Sequence, residues 1–231
     1  MLGRLTVAAA ATLVGVSAAR AQNLSAICDR AVHPPVGAWS EFRLVGGRQE
    51  GSTVRVAVVG KETRGGSPYL WIELEMHGLV MGPGNGHPVT VISKALVPDL
   101  DRGMGHARER IMKFGDQPAM ELPADQASPT ASTPGSDVLS GCRNAKVVGW
   151  ERVTVPAGTF RALHVKDARG GGDTWVDPDL PLAVVKGSSQ EGRSGMELVA
   201  HGTGARSRIT GKPRPWNPME FRMMMMGAAG R

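Results

Sequence analysis

Residues 69–76 alternate strictly between two kinds of side chain, and this alternation constrains the fold more than any other feature of the sequence. One set is wholly apolar and comprises Leu70, Ile72, Leu74 and Met76. The intervening set comprises Tyr69, Trp71, Glu73 and Glu75. A period of two places the two sets on opposite faces of a β-strand. We therefore predict a strand with one buried face and one wetter face, on which the two glutamates are solvated.

Further strand-length segments recur along the chain, with hardly any helical periodicity between them. They are separated by turn-forming residues, as at Gly46-Gly47 and Gly65-Gly66. The predicted strands cover residues 37–45, 53–60, 69–76, 88–97, 110–114, 145–155, 159–166, 173–176, 182–186 and 196–202. A series of this kind predicts a mainly β protein, built as an antiparallel sheet, a sandwich or an open barrel.

The stretch VTVPAGTFRALHV predicts a β-hairpin. Pro156 suits the second position of a β-turn because its ring fixes φ, and Gly158 suits a position with positive φ. His164 would then lie on the same strand face as Phe160 and Ala162, with no nucleophile beside it. The stretch therefore indicates a corner of the sheet and not an active site.

The N-terminus has the pattern of a secretory signal peptide over residues 1–21. Basic Arg4 precedes an apolar run that is too short and too weakly apolar for a membrane span, and Ala19-Arg20-Ala21 is a small-x-small cleavage sequence. Cleavage near Ala21 would release a soluble bacterial protein that is periplasmic or secreted. We expect no stable membrane span after cleavage.

The mature chain is interpreted as one β-rich domain followed by a tail. The domain covers residues 22–216 and contains a flexible linker or long loop at 123–140, which is rich in Ala, Ser, Thr and Pro. In the Met-rich tail, residues 217–231, Asn217 and Pro218 are suited to begin a helix. The spacing of Met219, Met223 and Met226 would place these side chains on one face of that helix.

The two cysteines, Cys28 and Cys142, are expected to form a disulfide because an exported protein meets oxidising conditions. Metal binding by the pair is the alternative, although two distant thiols are a weak pattern for it. The formal charge of the whole chain is +6, and it is spread without a dense basic run or interleaved aromatic residues. This pattern argues against nucleic-acid binding.

The sequence contains no recognisable catalytic or metal-binding arrangement. The six histidines include no HExxH motif and no close pair. Glycine-rich stretches at 82–86 and 202–207 match neither the dinucleotide fingerprint nor the P-loop. Residues Met223 to Met226 could attract Cu(I), but an adaptable apolar surface is the favoured interpretation. We therefore expect a protein without enzymatic activity, cofactor or defined metal site.

Several segments resemble a group of uncharacterised secreted bacterial proteins. They include VVGWERVTVPAGTFRALHV, DTWVDPDLPLAVVKGSS and MELVAHGTGA in the second half, and VGAWSEFRLV and YLWIELEM in the first. In strand order such proteins are similar to the periplasmic lipoprotein-carrier (LolA/LolB-like) superfamily. That resemblance implies a curved antiparallel sheet or half-barrel whose concave apolar face accepts acyl chains under a cover of helices. The present sequence predicts few internal helices for such a cover.

Export, the period-two strands and the resemblance together suggest a function. The leading hypothesis is a non-enzymatic protein of the cell envelope that binds an apolar ligand or a lipidated partner. The candidate lining comprises Leu70, Ile72, Leu74 and Met76. Two alternatives remain open, namely an envelope scaffold or interaction protein with a solid core, and a copper-binding protein that uses the Met-rich tail. The sequence does not indicate an oligomeric state.

Overall fold

The computed structural model describes residues 24–29, 33–80, 88–98, 106–123, 144–167 and 172–229. Within these ranges the first six strands are β1 (Trp39–Val45), β2 (Thr53–Arg64), β3 (Ser67–Val80), β4 (Pro88–Val97), β5 (Glu109–Phe114) and β6 (Met120–Leu122). Five more are β7 (Lys146–Val155), β8 (Gly158–Lys166), β9 (Gly172–Val176), β10 (Val184–Ser189) and β11 (Gly195–Gly202). Helix α1 includes residues 24–29, and helix α2 spans Pro218–Ala229.

All of these strands belong to one open sheet, in the order β6-β5-β4-β3-β2-β1-β11-β10-β9-β8-β7. Strands β1 to β6 form one antiparallel meander and β7 to β11 form a second. The two meanders join where β1 pairs with β11, from Trp39 opposite Gly202 to Val45 opposite Gly195. The prediction of a mainly β protein with a curved antiparallel sheet and a short C-terminal helix is confirmed.

The sheet curls strongly at its second meander. Val155 of β7 and Ala162 of β8 share one buried cluster with Phe42 of β1 and Leu198 of β11. At the tip of the β7–β8 hairpin, the Ala157 N–H donates a 3.0 Å hydrogen bond to the Leu198 carbonyl. Because β7 lies four positions from β11 in the sheet, this contact requires a curved sheet. We call the side of β1 to β4 that faces this cluster the inner face, and the opposite side the outer face.

The predicted hairpin is confirmed in its details. Residues 156 and 157 form the turn between β7 and β8, and Gly158 has φ of 135°. Val155 pairs with Gly158 and Thr154 with Thr159 across the hairpin. An L-residue at position 158 would be strained by this backbone angle alone, since an added Cβ would meet no atom closer than 3.9 Å.

Several element boundaries differ from the sequence predictions. Strand β2 continues to Arg64, because a bulge at Val58/Gly60 lets its pairing with β3 continue beyond the glycine where β2 was expected to end. Strand β3 continues to Val80, because its pairing with β4 resumes after an irregularity between Met76 and Leu79. The predicted strand at 182–186 is shifted and begins at Val184. Neither β6 nor α1 was predicted.

The two helices are determined in different ways, α1 by packing on the sheet and the start of α2 by a local cap. In α1, Leu24 and Ile27 pack against Leu163 and Val165 of β8, and this contact has no local signal in the sequence. For α2 the predicted cap is confirmed, since the Asn217 side-chain oxygen accepts hydrogen bonds from the N–H groups of residues 219 and 220 at 3.0 and 3.1 Å. The helix continues through Gly227, where it was expected to end.

Candidate functional site

The four residues predicted to line a ligand site lie together on the inner face of β3. Ile72 and Leu74 stand opposite Val58 and Val56 of β2. Leu70, Ile72 and Leu74 are buried with 8, 2 and 5% exposure, and Met76 is partly buried. The structure therefore brings the predicted lining together and covers it with other parts of the chain. Its role in ligand contact stays a prediction.

A loop of the second meander covers this lining. Residues 177–183, which connect β9 to β10 and which we call the cover loop, place Leu182 in the cluster that contains Leu70 and Ile72. Leu180 of the same loop lies in the cluster that contains Leu74. Leu180 and Leu182 are 7 and 4% exposed. The cover loop thus occupies the concave side of the sheet, where the resemblance implied helices.

The cover loop is held mainly by its own backbone. The Asp177 N–H donates to the Ala183 carbonyl at 2.7 Å, and the Ala183 N–H donates to the Leu180 carbonyl at 3.2 Å. Ala183 has φ of 59° and is, among the described residues, the one non-glycine with positive φ. Toward the inner face, the contacts of Leu180 and Leu182 are apolar and carry no directional bond. The loop is therefore folded on itself by backbone hydrogen bonds and packed on the inner face by apolar contact.

An open cleft of about 540 Å³ adjoins one end of the lining and includes Leu70. Its walls combine four prolines, at positions 34, 35, 68 and 98, with His33, Val36, Lys61 and Tyr69. Val36 is 53% exposed, which is high for a large apolar side chain, whereas Tyr69 is 5% exposed. The guanidinium of Arg108 lies over the Tyr69 ring at 5.0 Å and holds this wall in place. The cleft thus has both apolar and polar walls.

The charge in this cleft comes from Lys61. Its ammonium group forms no ion pair or hydrogen bond with any residue of the part of the chain that the structure describes. His33, at the same wall, is within 3.0 Å of the Asp29 carbonyl through Nδ1. A cleft of this volume with mixed walls and one available cation can hold a small amphiphile whose polar end is anionic. The sequence did not single out this cleft, because residues 33–36, 61–70 and 98 meet only in the folded chain.

The outer face of β3 contradicts the sequence interpretation, because Glu73 and Glu75 are buried. Their exposures are 1 and 8%. The chain that follows β11 crosses this face, so Glu73 accepts hydrogen bonds from the Ser207 hydroxyl at 2.7 Å and the Arg208 N–H at 2.8 Å. The Arg208 side chain lies 3.7 Å from Glu75 Oε2. Glu73 therefore holds the C-terminal segment on the sheet through two hydrogen bonds, and the Arg208–Glu75 ion pair lies beside them.

The sequence of the neighbouring strand β4 indicated that the outer face is also covered. On β4, Ile92 stands opposite Glu75 and Leu96 opposite Trp71, so the outer face of that strand carries two apolar side chains, one on each side of Lys94. Ile92 and Leu96 are 6 and 0% exposed. Apolar residues on both faces of a strand indicate that both faces are covered. The alternation in β3 alone could not reveal it.

A polar cluster on β8 and β9 is the strongest concentration of titratable groups among the described residues outside β3. His164 Nε2 lies 2.5 Å from Asp173 Oδ1, Lys166 Nζ lies 3.4 Å from the same oxygen, and the His164 ring stacks on Trp175 at 4.5 Å. Partial burial alone would raise the pKa of Asp173, but the hydrogen bond from His164 and the charge of Lys166 outweigh it and hold that pKa below its ordinary value.

This cluster offers no catalytic geometry. Glu151 lies 3.4 Å from His164 Nδ1 and also accepts a hydrogen bond from the Trp175 indole. No Ser, Thr or Cys side chain is among the recorded partners of His164 in the described ranges, and no group of three His, Cys, Asp or Glu residues there could hold a metal ion. The arrangement cross-links β7, β8 and β9.

Several predictions fall wholly or partly outside the described residues. The signal peptide at 1–21, most of the linker at 123–140 and Cys142 all lie there. Cys28 is fully buried in the α1 cluster, and its pairing with Cys142 stays a prediction. The side chains of residues 224–229 also lie outside the described part, so copper binding by the methionines stays untested. No helix among the described residues is long and apolar enough to cross a membrane.

Comparisons with known proteins find distant likenesses in fold. No protein-family model matches the chain, and no curated protein matches it. Among solved structures, one is a protein from Bacteroides fragilis assigned as exported with a YmcC-like fold, at 12% identity and TM-score 0.33, with 74% of this chain and 99% of that chain covered. Another is MucB, at 13% identity and TM-score 0.40, with 83% of this chain covered and 63% of MucB. Likenesses at this level say nothing about a ligand or partner.

Proposed function

We propose that this protein is a non-enzymatic binder of an apolar ligand or lipidated partner in the cell envelope. The observation that carries the proposal is the cleft of about 540 Å³ that adjoins Leu70 at the end of the apolar inner face. An acyl chain or similar group would enter at the cleft, with its polar end near Lys61. A longer apolar group would extend along β3 toward Ile72 and Leu74 once the cover loop leaves its seat.

Lys61 supports a ligand whose polar end is anionic. The side chain has no competing carboxylate among the described residues, so its charge is available to a headgroup. An exposed charge pair is worth about 1 kcal/mol or less, whereas a partly desolvated one is stronger. Lys61 would therefore set the orientation of the ligand and the preference for anionic amphiphiles, and the apolar part of the walls would supply most of the affinity.

A scaffold function is the second candidate, and one observation favours it. The predicted lining is already buried at 2 to 8% exposure for Leu70, Ile72 and Leu74, as expected of a permanently filled core. In that case the cover loop never leaves its seat, and the cleft is a surface depression without a ligand.

The test that separates these two functions begins with native mass spectrometry of protein purified from its native compartment. A binder carries additional mass that organic extraction releases as an apolar or amphiphilic molecule, and a scaffold carries none. If the protein is a binder, the fluorescent acyl probe dansyl-undecanoic acid should also bind to it. The uncharged methyl ester of the probe should bind more weakly, because it lacks the anionic group that Lys61 would contact.

Two lysine variants, one in the cleft and one far from it, test whether the probe binds in the cleft. Lys61→Ala should weaken binding of the dansyl fatty acid by about five-fold, which corresponds to the loss of about 1 kcal/mol of charge interaction. Lys146→Ala removes an exposed lysine on β7, far from the cleft in sequence and sheet order, and should leave binding unchanged. Equal effects of the two substitutions, or no saturable binding by the parent protein, would refute the assignment of the cleft.

A further inference from the structure

Helix α2 is fixed to the sheet by one side of its first turns. Phe221 contacts the Phe114 ring of β5 edge-on at 5.8 Å and the Trp216 ring at 4.7 Å. Arg214 Nη1 lies 3.3 Å from Glu220 Oε1. Because Glu220 and Phe221 make these contacts, the side of α2 that carries them faces the protein.

The opposite side of α2 presents apolar side chains to solvent. Met219 and Met223 are 68 and 57% exposed, and Arg222 between them is exposed as well. Positions i, i+3 and i+4 share one face of a helix, so these three side chains form one surface. We call Met219, Arg222 and Met223 the helix surface. Two neighbouring exposed methionines on a helix that is anchored elsewhere indicate a binding surface more than a packing remnant.

The chain that leads into α2 is strongly basic. Beyond Glu197 the sequence contains one carboxylate side chain, Glu220, against Lys212 and arginines at 206, 208, 214, 222 and 231. Arg208 and Arg214 are paired with Glu75 and Glu220. Arg206, Lys212 and Arg222 are exposed, and none of them is paired with a described residue. The free charge of this region is therefore positive.

We propose that the helix surface and these free cations dock the protein on an anionic lipid surface. The methionines would enter the boundary between headgroups and acyl chains, while Arg206, Lys212 and Arg222 contact the phosphates. Trp216, partly buried beside Phe221, is a residue type that favours this boundary. A second copy of the chain is a poor occupant, because it would bring the same excess of positive charge against itself.

Flotation with lipid vesicles tests the docking. The purified full chain should float with vesicles of 70% phosphatidylcholine and 30% phosphatidylglycerol at low salt, and should not float with pure phosphatidylcholine. Raising the salt to 0.5 M should reduce the bound fraction several-fold, because the attraction to the headgroups is screened. Equal binding to both vesicle types, or none to either, would overturn the proposal.

Substitutions of the two methionines test whether the helix surface is the part of the protein that contacts the vesicles. The double substitution Met219→Ser with Met223→Ser should lower partition to the anionic vesicles by about ten-fold. Val148 is 49% exposed on β7, and Val148→Thr removes a comparable exposed apolar side chain elsewhere, so it should have no effect. Circular dichroism and the urea midpoint serve to show that each variant remains folded.

Charge substitutions complete the assignment. Lys212→Gln with Arg222→Gln should weaken binding by about ten-fold at low salt and much less at 0.5 M salt, whereas Lys146→Gln should change nothing.

A serine double variant that floats like the parent protein would refute the proposal. So would a protein dimer in light scattering that the same two serines abolish, since the helix surface would then be a protein interface. Dansyl-undecanoic acid binding in the cleft is a separate measurement that these variants leave unchanged.

Discussion

The two faces of β3 are both buried, but they are covered in different ways. On the inner face, Leu182 of the cover loop seats against Leu70 and Ile72 by apolar contact. On the outer face, Glu73 holds the C-terminal segment through two hydrogen bonds of 2.7 and 2.8 Å. Apolar contact is tolerant of displacement, whereas a buried carboxylate is costly to separate from its donors. The inner cover therefore depends on apolar packing, whereas the outer cover depends on hydrogen bonds to a buried carboxylate.

The largest expected effect is on the outer face. Glu73→Ala leaves the Arg208 N–H without its acceptor and limits the Ser207 hydroxyl to its longer bond of 3.2 Å to the Ile209 carbonyl. It should lower the free energy of unfolding by about 3 kcal/mol. Urea denaturation followed by tryptophan fluorescence measures the loss. Glu121→Ala, on the exposed side of β6, is the matched control and should change stability by less than about 0.5 kcal/mol. Similar small losses for both variants would remove the distinction between the two covers.

The inner cover should respond differently. Leu182→Ala should cost about 2 to 3 kcal/mol of stability and also expose part of the inner face, so binding of an apolar dye such as ANS should increase. Leu163→Ala is the control, since Leu163 is 2% exposed and packs with α1. This control should lose comparable stability without the gain in dye binding. If Leu163→Ala increased ANS binding as much as Leu182→Ala, the dye would be reporting a general loss of packing and not exposure of the inner face.

Ser207→Ala is a smaller perturbation of the outer cover. It removes one of the two donors to Glu73 and leaves the Arg208 N–H in place, so the expected loss is about 1 kcal/mol. Ser194→Ala, at an exposed position between β10 and β11, should cost almost nothing. In combination with Glu73→Ala, the serine substitution should add little, because both remove the same bond. Full additivity in this double-mutant cycle would contradict the hydrogen bond as the source of the effect.

The sequence predicted β3, its two faces and most of the other strands because their periodicity is local. It could not predict that Glu73 is buried, because the donors Ser207 and Arg208 lie more than 130 residues away in sequence. The cover loop was missed for a related reason. Leu182 looked like the start of a strand, and only the bulge and the early turn at Ala183 place it in the loop. The cleft likewise depends on segments that meet only after folding.

The smallest expected effect on stability is that of Asp173, a partly exposed carboxylate, in contrast to the buried Glu73. Asp173 is 25% exposed at its side chain and contacts His164 and Lys166. Asp173→Asn should therefore cost about 0.5 kcal/mol at neutral pH, far less than the loss of Glu73. Lys146→Gln, which changes an exposed charge without a recorded ion pair, is the control for a general charge effect.

The pH dependence of that small effect follows from the lowered pKa of Asp173. The native state favours the ionised form, so the contribution is complete above the ordinary value of 3.8 and is lost as the pH falls through the lower native pKa. The stability difference between the parent protein and Asp173→Asn should thus shrink as the pH falls below about 4. Urea midpoints over this range measure it. A difference that did not shrink at the acidic end of this range would show that His164 and Lys166 do not stabilise the ionised carboxylate, and the contrast between the buried and exposed acidic residues would then lose its electrostatic basis.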